Sequence, residues 1–161
     1  MMDAAAERLA AEDYAGAARI YVEGLPANSG GLAEAGSGIT LENGVFCGPS
    51  MVFTNIYNPR AEIGKMDQVR PTLVKKGATI GANATVLCAI TVGRYALIGA
   101  GAVVTRDVPD HGLVLGNPGR LAGHVCRCCR TLDFSRGKAA CDCGRRYSLE
   151  GEAVLPLDPD R

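Results

Sequence analysis

The sequence predicts an all-β protein, a parallel coil of very short strands, and three observations predict it. Residues 72–107 read in sixes as TLVKKG, ATIGAN, ATVLCA, ITVGRY, ALIGAG and AVVTRD, with an aliphatic residue at Val74, Ile80, Val86, Val92, Ile98 and Val104. Two places before each stands Thr72, Ala78, Ala84, Ile90, Ala96 or Ala102, mostly small. Glycine, at 21 of 161 residues, is well above the usual share of about 7%. Six is neither a helical period nor simple strand alternation; it is the period of hexapeptide β-helix repeats. Each hexad then makes one short strand and a corner, and three hexads close a coil of eighteen residues. The aliphatic residue points inward. Gly81, Gly93, Gly99 and Gly101 are expected to let the backbone turn sharply and stack closely. Residues eighteen apart lie above one another, so Val74 stacks on Val92, Ile80 on Ile98 and Val86 on Val104.

The first 38 residues lie outside this pattern. Residues 3–25 are Ala-rich, which favours a helix. Ala10, Tyr14, Ala17, Tyr21 and Leu25 would form one apolar stripe along it. Residues 26–38, PANSGGLAEAGSG, read as a flexible linker. Hexads begin at Ile39. ITLENG and VFCGPS place Leu41, Cys47 and Phe53 inward, one on each face of a first coil.

The next inward position would be 59, but it is Val74, so fifteen extra residues leave the coil at one corner. The excursion, loop 54–71, carries Asn55, Tyr57, Asn58, Arg60, Lys65, Asp67, Gln68 and Arg70. Long loops on rigid scaffolds are where binding and catalysis concentrate. A few coils bury little surface alone and leave open strand edges, which points to association of the flat faces.

Net charge is zero, with 17 basic and 17 acidic residues. No overall field draws the chain to nucleic acid or to an anionic membrane, and neither is expected as a partner. There is no apolar run long enough to span a bilayer and no basic-then-apolar leader. The expected location is the cytoplasm. Five of the seven cysteines fall in 126–143, a spacing of metal ligands rather than disulfides.

The run GVFCGPSMVFTNIYNPR at 44–60, followed by TLVKKGATIGAN at 72–83, resembles the left-handed β-helix N-acetyltransferases that act on UDP-amino sugars. The nearest type is the UDP-2-acetamido-3-amino-2,3-dideoxy-glucuronate N-acetyltransferases. VPDHGLVLGNPGRLAG at 108–123 is similar to the exit by which such acyltransferases leave the helix. The resemblance covers about 39–125. It implies left-handed coiling, acetyl-CoA, a homotrimer with active sites between subunits, and acetylation of an amino sugar for surface polysaccharide precursors. Family members carry further coils upstream, ending in a polar coil where this chain has GLAEAGSG, so those N-terminal coils are expected to be absent or replaced. Residues 39–123 are then the acyltransferase domain. A non-catalytic trimeric binding protein and a sugar O-acetyltransferase remain as alternatives.

Asn55 matches an active-site asparagine of the family and is expected to orient the amine, or else to satisfy a corner backbone. Tyr57 and Arg60 are candidates for the sugar carboxylate or phosphate. The histidines, His111 and His124, both lie beyond the last regular hexad. The hexapeptide O-acetyltransferases deprotonate a hydroxyl with a histidine, and neither the hexads nor the loop carries one. An amine with a pKa of about 8, by analogy with an α-amino group, is partly neutral at pH 7 and needs mainly positioning and oxyanion stabilisation. Acetyl-CoA is expected along the later coils, with backbone groups at Ala82 and Ala100 pairing with the pantetheine amides. Lys75, Lys76, Arg94, Arg106 and Arg120 are candidates for its phosphates.

After Gly123 the composition changes. The tail, 124–161, carries C-x-C-C and then C-x-C-G. Two close thiolate pairs across a hairpin are zinc-ribbon spacing. Cys126 with Cys128, or with Cys129, would join Cys141 and Cys143 around a structural zinc, filling every position with sulfur and leaving none for catalysis.

Overall fold

The computed structural model describes residues 38–158. The helix and linker expected over 1–38 lie outside the described residues, apart from Gly38. Fifteen strands and one 3-10 turn, Met66–Gln68, make up the described chain, and no α-helix occurs among the described residues.

Nine strands form the coil: β1 (Ile39–Leu41), β2 (Phe46–Cys47), β3 (Val52–Phe53), β4 (Thr72–Val74), β5 (Thr79–Ile80), β6 (Thr85–Val86), β7 (Thr91–Val92), β8 (Leu97–Ile98) and β9 (Val103–Val104). They stack in three parallel sheets. Leu41 pairs with Val74 and Val74 with Val92. Cys47, Ile80 and Ile98 form the second stack, and Phe53, Val86 and Val104 the third. This is the register set by the six-residue period. The inward residues from Val74 to Val104 are all buried, and Ala78, Ala84, Ala96 and Ala102 fill the space between the walls. Alternation explains the outward residues: a two-residue strand puts one side chain in and one out.

The glycines serve two purposes. Only Gly101 of the four takes a left-handed backbone, at φ 69°, and Ser50, Asn83, Ala89 and Tyr95 adopt the same conformation at other corners. Gly81 is needed for closeness: a Cβ there would lie 2.5 Å from the backbone nitrogen of Ala100 in the next coil. Gly93 faces Asp110 N in the same way.

The coil also runs past the last regular hexad. Val92 bridges in parallel to Val108, and β10 (Gly112–Leu115) pairs in parallel with β8, placing Val114 on Ile98. Both residues join the coil core. The offset here is sixteen rather than eighteen, which hides this partial coil from a count in sixes. The chain then reverses: β11 (Arg120–Val125) returns antiparallel to β10, and β12 (Thr131–Leu132) pairs with β11. The central sheet thus holds six strands, and the expected boundary at 123/124 falls inside β11. The remaining strands, β13 (Lys138–Ala140), β14 (Arg146–Glu150) and β15 (Ala153–Pro156), form an antiparallel meander around a second core of Cys126, Leu132, Ala139, Cys141, Tyr147 and Val154.

Candidate active site and cysteine cluster

The coil has three corners, and the expected site residues are spread over all of them. Loop 54–71 leaves after β3 and rejoins at β4. Its base is closed by the Arg70 N–H donating to the Asn55 carbonyl at 2.9 Å. Asn55 is thereby held at the base of the loop, next to Thr54, which is bonded to Val86 and Cys88 of the coil, and it is half-buried. Farther out, Tyr57 is exposed, with the Arg70 guanidinium 5.7 Å from its ring centroid. Lys65 Nζ donates to the Asn58 carbonyl at 2.7 Å, and Arg60 bridges to Ile63 within the loop. Both Tyr57 and Arg60 thus stand away from the coil and can meet a ligand.

Ala82 and Ala100 lie on the corner between the second and third stacks. The Ala82 carbonyl already accepts the Gly101 N–H at 2.8 Å, so one of its lone pairs holds the coils together. The turn 116–119 packs beside this corner through Val103 N–H to Gly116 O and Gly119 N–H to Val103 O. Arg120 follows that turn, exposed, with its Nη1 on the Gly119 carbonyl. Ala82, Ala100 and Arg120 are thus gathered at one end of one corner. Lys75 and Lys76 are not with them. They occupy the corner between the first and second stacks, where Glu42 accepts the Lys76 N–H at 2.8 Å and Arg94 follows one coil on.

His111 holds the equivalent corner of the partial coil. Its N–H donates to Arg94 O, its φ is 61°, and its Nδ1 is 2.9 Å from the Val125 carbonyl. Burial lowers its pKa, against the hydrogen bond to Val125 and the Asp110 charge, which raise it. A buried, neutral ring fixed to backbone is a packing group, and the regular hexads carry no histidine.

In the tail, Cys126, Cys128, Cys141 and Cys143 bring their sulfur atoms within 4.8 Å of one another. Cys126 and Cys143 are 3.4 Å apart, Cys128 and Cys141 3.5 Å. Tetrahedral zinc with Zn–S of about 2.3 Å needs sulfur–sulfur distances of roughly 3.8 Å, so the donor set and spacing fit that ion. Cys129 is outside the cluster, because it forms the left-handed turn at φ 65° and donates its N–H to Cys126 O. The Arg145 backbone N–H pulls the Cys143 thiol down to about 6, whereas burial and the neighbouring sulfurs leave the Cys128 and Cys141 thiols raised, Cys141 to about 12. Tyr147 closes the cluster from inside, its hydroxyl 3.2 Å from Cys126 Sγ.

The fold and the repeat together define a hexapeptide-repeat coil, and residues 71–106 match the family model for bacterial transferase hexapeptide (six repeats). Several of the proteins that the chain resembles are acetyltransferases. The chain is 49% identical over 86 residues to dTDP-3-amino-3,6-dideoxy-alpha-D-galactopyranose 3-N-acetyltransferase of Aneurinibacillus thermoaerophilus, covering 53% of this chain and 45% of that protein. It is 36% identical over 104 residues to a serine acetyltransferase of Bacillus pumilus, covering 64% and 42%. The chain thus spans less than half the length of these relatives. Among solved structures, a mutant perosamine N-acetyltransferase from Caulobacter crescentus in complex with CoA and GDP-perosamine is 27% identical, with 53% of this chain, 33% of that chain and a TM-score of 0.43. No helix among the described residues is long and apolar enough to cross a membrane.

Proposed function

We propose that residues 39–123 form an acetyl-CoA-dependent N-acetyltransferase domain that acylates the amine of a nucleotide-linked amino sugar, of the UDP or dTDP kind, for surface polysaccharide precursors. The observation that carries this reading is the 49% identity over 86 residues to an amino-sugar N-acetyltransferase. The chemistry of the chain supports it. Both histidines lie past the regular hexads, and His111 is buried and tied to backbone. A hydroxyl acceptor would need a base there, whereas an amine with a pKa of about 8 supplies its own lone pair. The amine nitrogen attacks the thioester carbonyl, the carbon–sulfur bond breaks, and the CoA thiolate leaves while the ammonium proton passes to solvent. Asn55 orients the amine at the base of the loop, and Tyr57 and Arg60 meet the sugar nucleotide. Ala82, Ala100 and Arg120 line the corner offered to acetyl-CoA, with Lys75 and Lys76 reaching its phosphates from a neighbouring subunit of a homotrimer. The four-cysteine cluster holds a structural zinc that cross-links the tail and takes no part in the transfer. The protein works in the cytoplasm, where its substrates are made.

Thiol release from acetyl-CoA, measured with UDP- and dTDP-amino sugars, tests the reading. Asn55→Ala is expected to lower kcat at least about tenfold, on the order of 1.4 kcal/mol of barrier, with the KM for acetyl-CoA unchanged. Faster turnover of a hydroxyl acceptor, or none with any amino sugar, would overturn it.

A further inference from the structure

The four clustered sulfurs of the tail are not equivalent toward solvent. Cys126 and Cys141 are buried, whereas Cys128 and Cys143 are exposed. Each exposed sulfur has a buried one beside it: Cys143 lies 3.4 Å from Cys126, and Cys128 lies 3.5 Å from Cys141. Both contacts run between the C-x-C pair at 126–128 and the pair at 141–143. An accessible sulfur with a second sulfur poised next to it is the arrangement of an oxidant-reactive cysteine and its resolving partner.

The two exposed sulfurs differ in their surroundings. Cys143 opens on a groove of about 490 Å³ between the coil and the tail, which Cys128 does not line. Arg145 lies on the same wall, and its guanidinium Nη1 donates to Cys143 Sγ at 3.4 Å. A fixed cation at that distance stands where negative charge develops when an oxygen–oxygen bond breaks at the sulfur, and it stabilises that charge.

The partner sulfur is shielded and held. Cys126 is fully buried, and its N–H donates to Arg130 O at 2.8 Å. The Tyr147 hydroxyl accepts the Arg127 N–H at 3.3 Å, which leaves its own proton for the Cys126 sulfur 3.2 Å away. Cys129 is also exposed, but its left-handed turn sets it outside the cluster, with no resolving sulfur among the four.

We propose that Cys143 is a peroxide-reactive thiol with Cys126 as its resolving partner, so that hydrogen peroxide exchanges the tail's metal for a disulfide. The metal half of this statement rests on the structural zinc proposed above; the cysteine pair does not. The Cys143 sulfur attacks one peroxide oxygen. A sulfur–oxygen bond forms, the oxygen–oxygen bond breaks, and hydroxide leaves beside Arg145 and is protonated to water. The Cys126 sulfur then attacks the sulfur of the sulfenic acid. The sulfur–sulfur bond forms, the sulfur–oxygen bond breaks, and the second oxygen leaves as water. Starting from two thiolates, two electrons pass to one peroxide and two protons come from solvent. The disulfide removes two of the four sulfurs from a zinc held there. It joins the two C-x-C pairs as the metal does, so the tail remains cross-linked and folded. Transient disulfides of this kind occur in reducing compartments and are reversed by thiols.

The full chain, purified without chelator and with its zinc content measured first, is treated with about one equivalent of hydrogen peroxide. Peptide mass mapping is expected to find Cys126–Cys143 as the first disulfide. Zinc should reach a chromophoric chelator at the rate at which the disulfide forms, and dithiothreitol with added zinc should restore the starting state. Arg145→Ala should slow the disulfide at least about threefold and Arg145→Lys less, with melting of the untreated protein as the check on folding. Cys129→Ser should react as the parent does. A chain that holds no zinc would remove the zinc reading alone, and the disulfide mapped in that protein still decides the cysteine pair. A first disulfide at Cys128–Cys141 or Cys141–Cys143, cysteines still reduced under excess peroxide, or Arg145→Ala reacting at the parent's rate would overturn the proposal, whether or not the chain transfers acetyl groups.

Discussion

Thr72 occupies the place that alanine holds at 78, 84, 96 and 102, two residues before an inward aliphatic side chain. It is 1% exposed, and its hydroxyl has no hydrogen-bond partner among the described residues. Valine has nearly the same shape without the orphaned oxygen. Thr72→Val is therefore expected to stabilise the chain by about 1–2 kcal/mol, read as a rise in the denaturation midpoint at constant slope. His111 makes a second case. Burial is the largest influence on its pKa and lowers it, and His124 shifts the same way for the same reason. The unfolded chain therefore takes up protons first as pH falls below about 6.5. Stability is complete above that value and is lost as pH drops through the folded pKa. His111→Asn keeps a residue that tolerates φ 61° and removes the titration. It should flatten the fall in melting temperature between about pH 7 and 5; an unchanged slope would show that other groups set it. Thr72 was legible as a departure from a small-residue pattern. His111 was not legible as a corner residue, because two residues missing from the period put it out of the count.

Among the elements, the six-residue period fixes the three inward stacks residue by residue, since one aliphatic side chain per hexad leaves a single frame that buries them. The period says nothing of which glycines are needed for backbone sign and which for closeness. Gly101 has φ 69° and open space where a Cβ would stand, with no atom within 4 Å, and Asn83 tolerates φ 56° at the same point of an earlier corner. Gly81 has an ordinary backbone, yet its Cβ would press on Ala100 N. Gly101→Asn should then cost less than about 1 kcal/mol. Gly81→Ala should cost roughly 1–3 kcal/mol by forcing two coils apart. Chemical denaturation of the pair checks the order, and equal losses would mean that the corners yield. Loop 54–71 was readable as an interruption, and the Asn55–Arg70 closure explains why its base is well placed. The β10–β11 hairpin was not readable, because its residues lack the hexad rhythm and its pairing depends on where the coil stops.

At the scale of the whole molecule, two separate cores are joined by one continuous strand, β11, and by the Tyr95–His111–Tyr147 ring contacts. The cysteine spacing announced the second core but left Cys128 and Cys129 as alternatives. The backbone decides between them in the structure, since Cys129 is used up in the left-handed turn and Cys128 faces Cys141. About one zinc per chain is expected, since four sulfurs make one tetrahedral site. Cys129→Ser should keep the metal and Cys128→Ser should lose it, measured by elemental analysis of protein purified without chelator. Cys141→Ser should also lose it and unfold the tail, because Cys141 is part of that small core and metal binding there is coupled to folding. The coil should survive, since the core that holds Val74 through Val104 shares no residue with the core of the tail. Two melting transitions, of which only the lower disappears in Cys141→Ser, would bear this out. A single transition lost altogether would mean that β11 and the ring contacts make the two cores one cooperative unit.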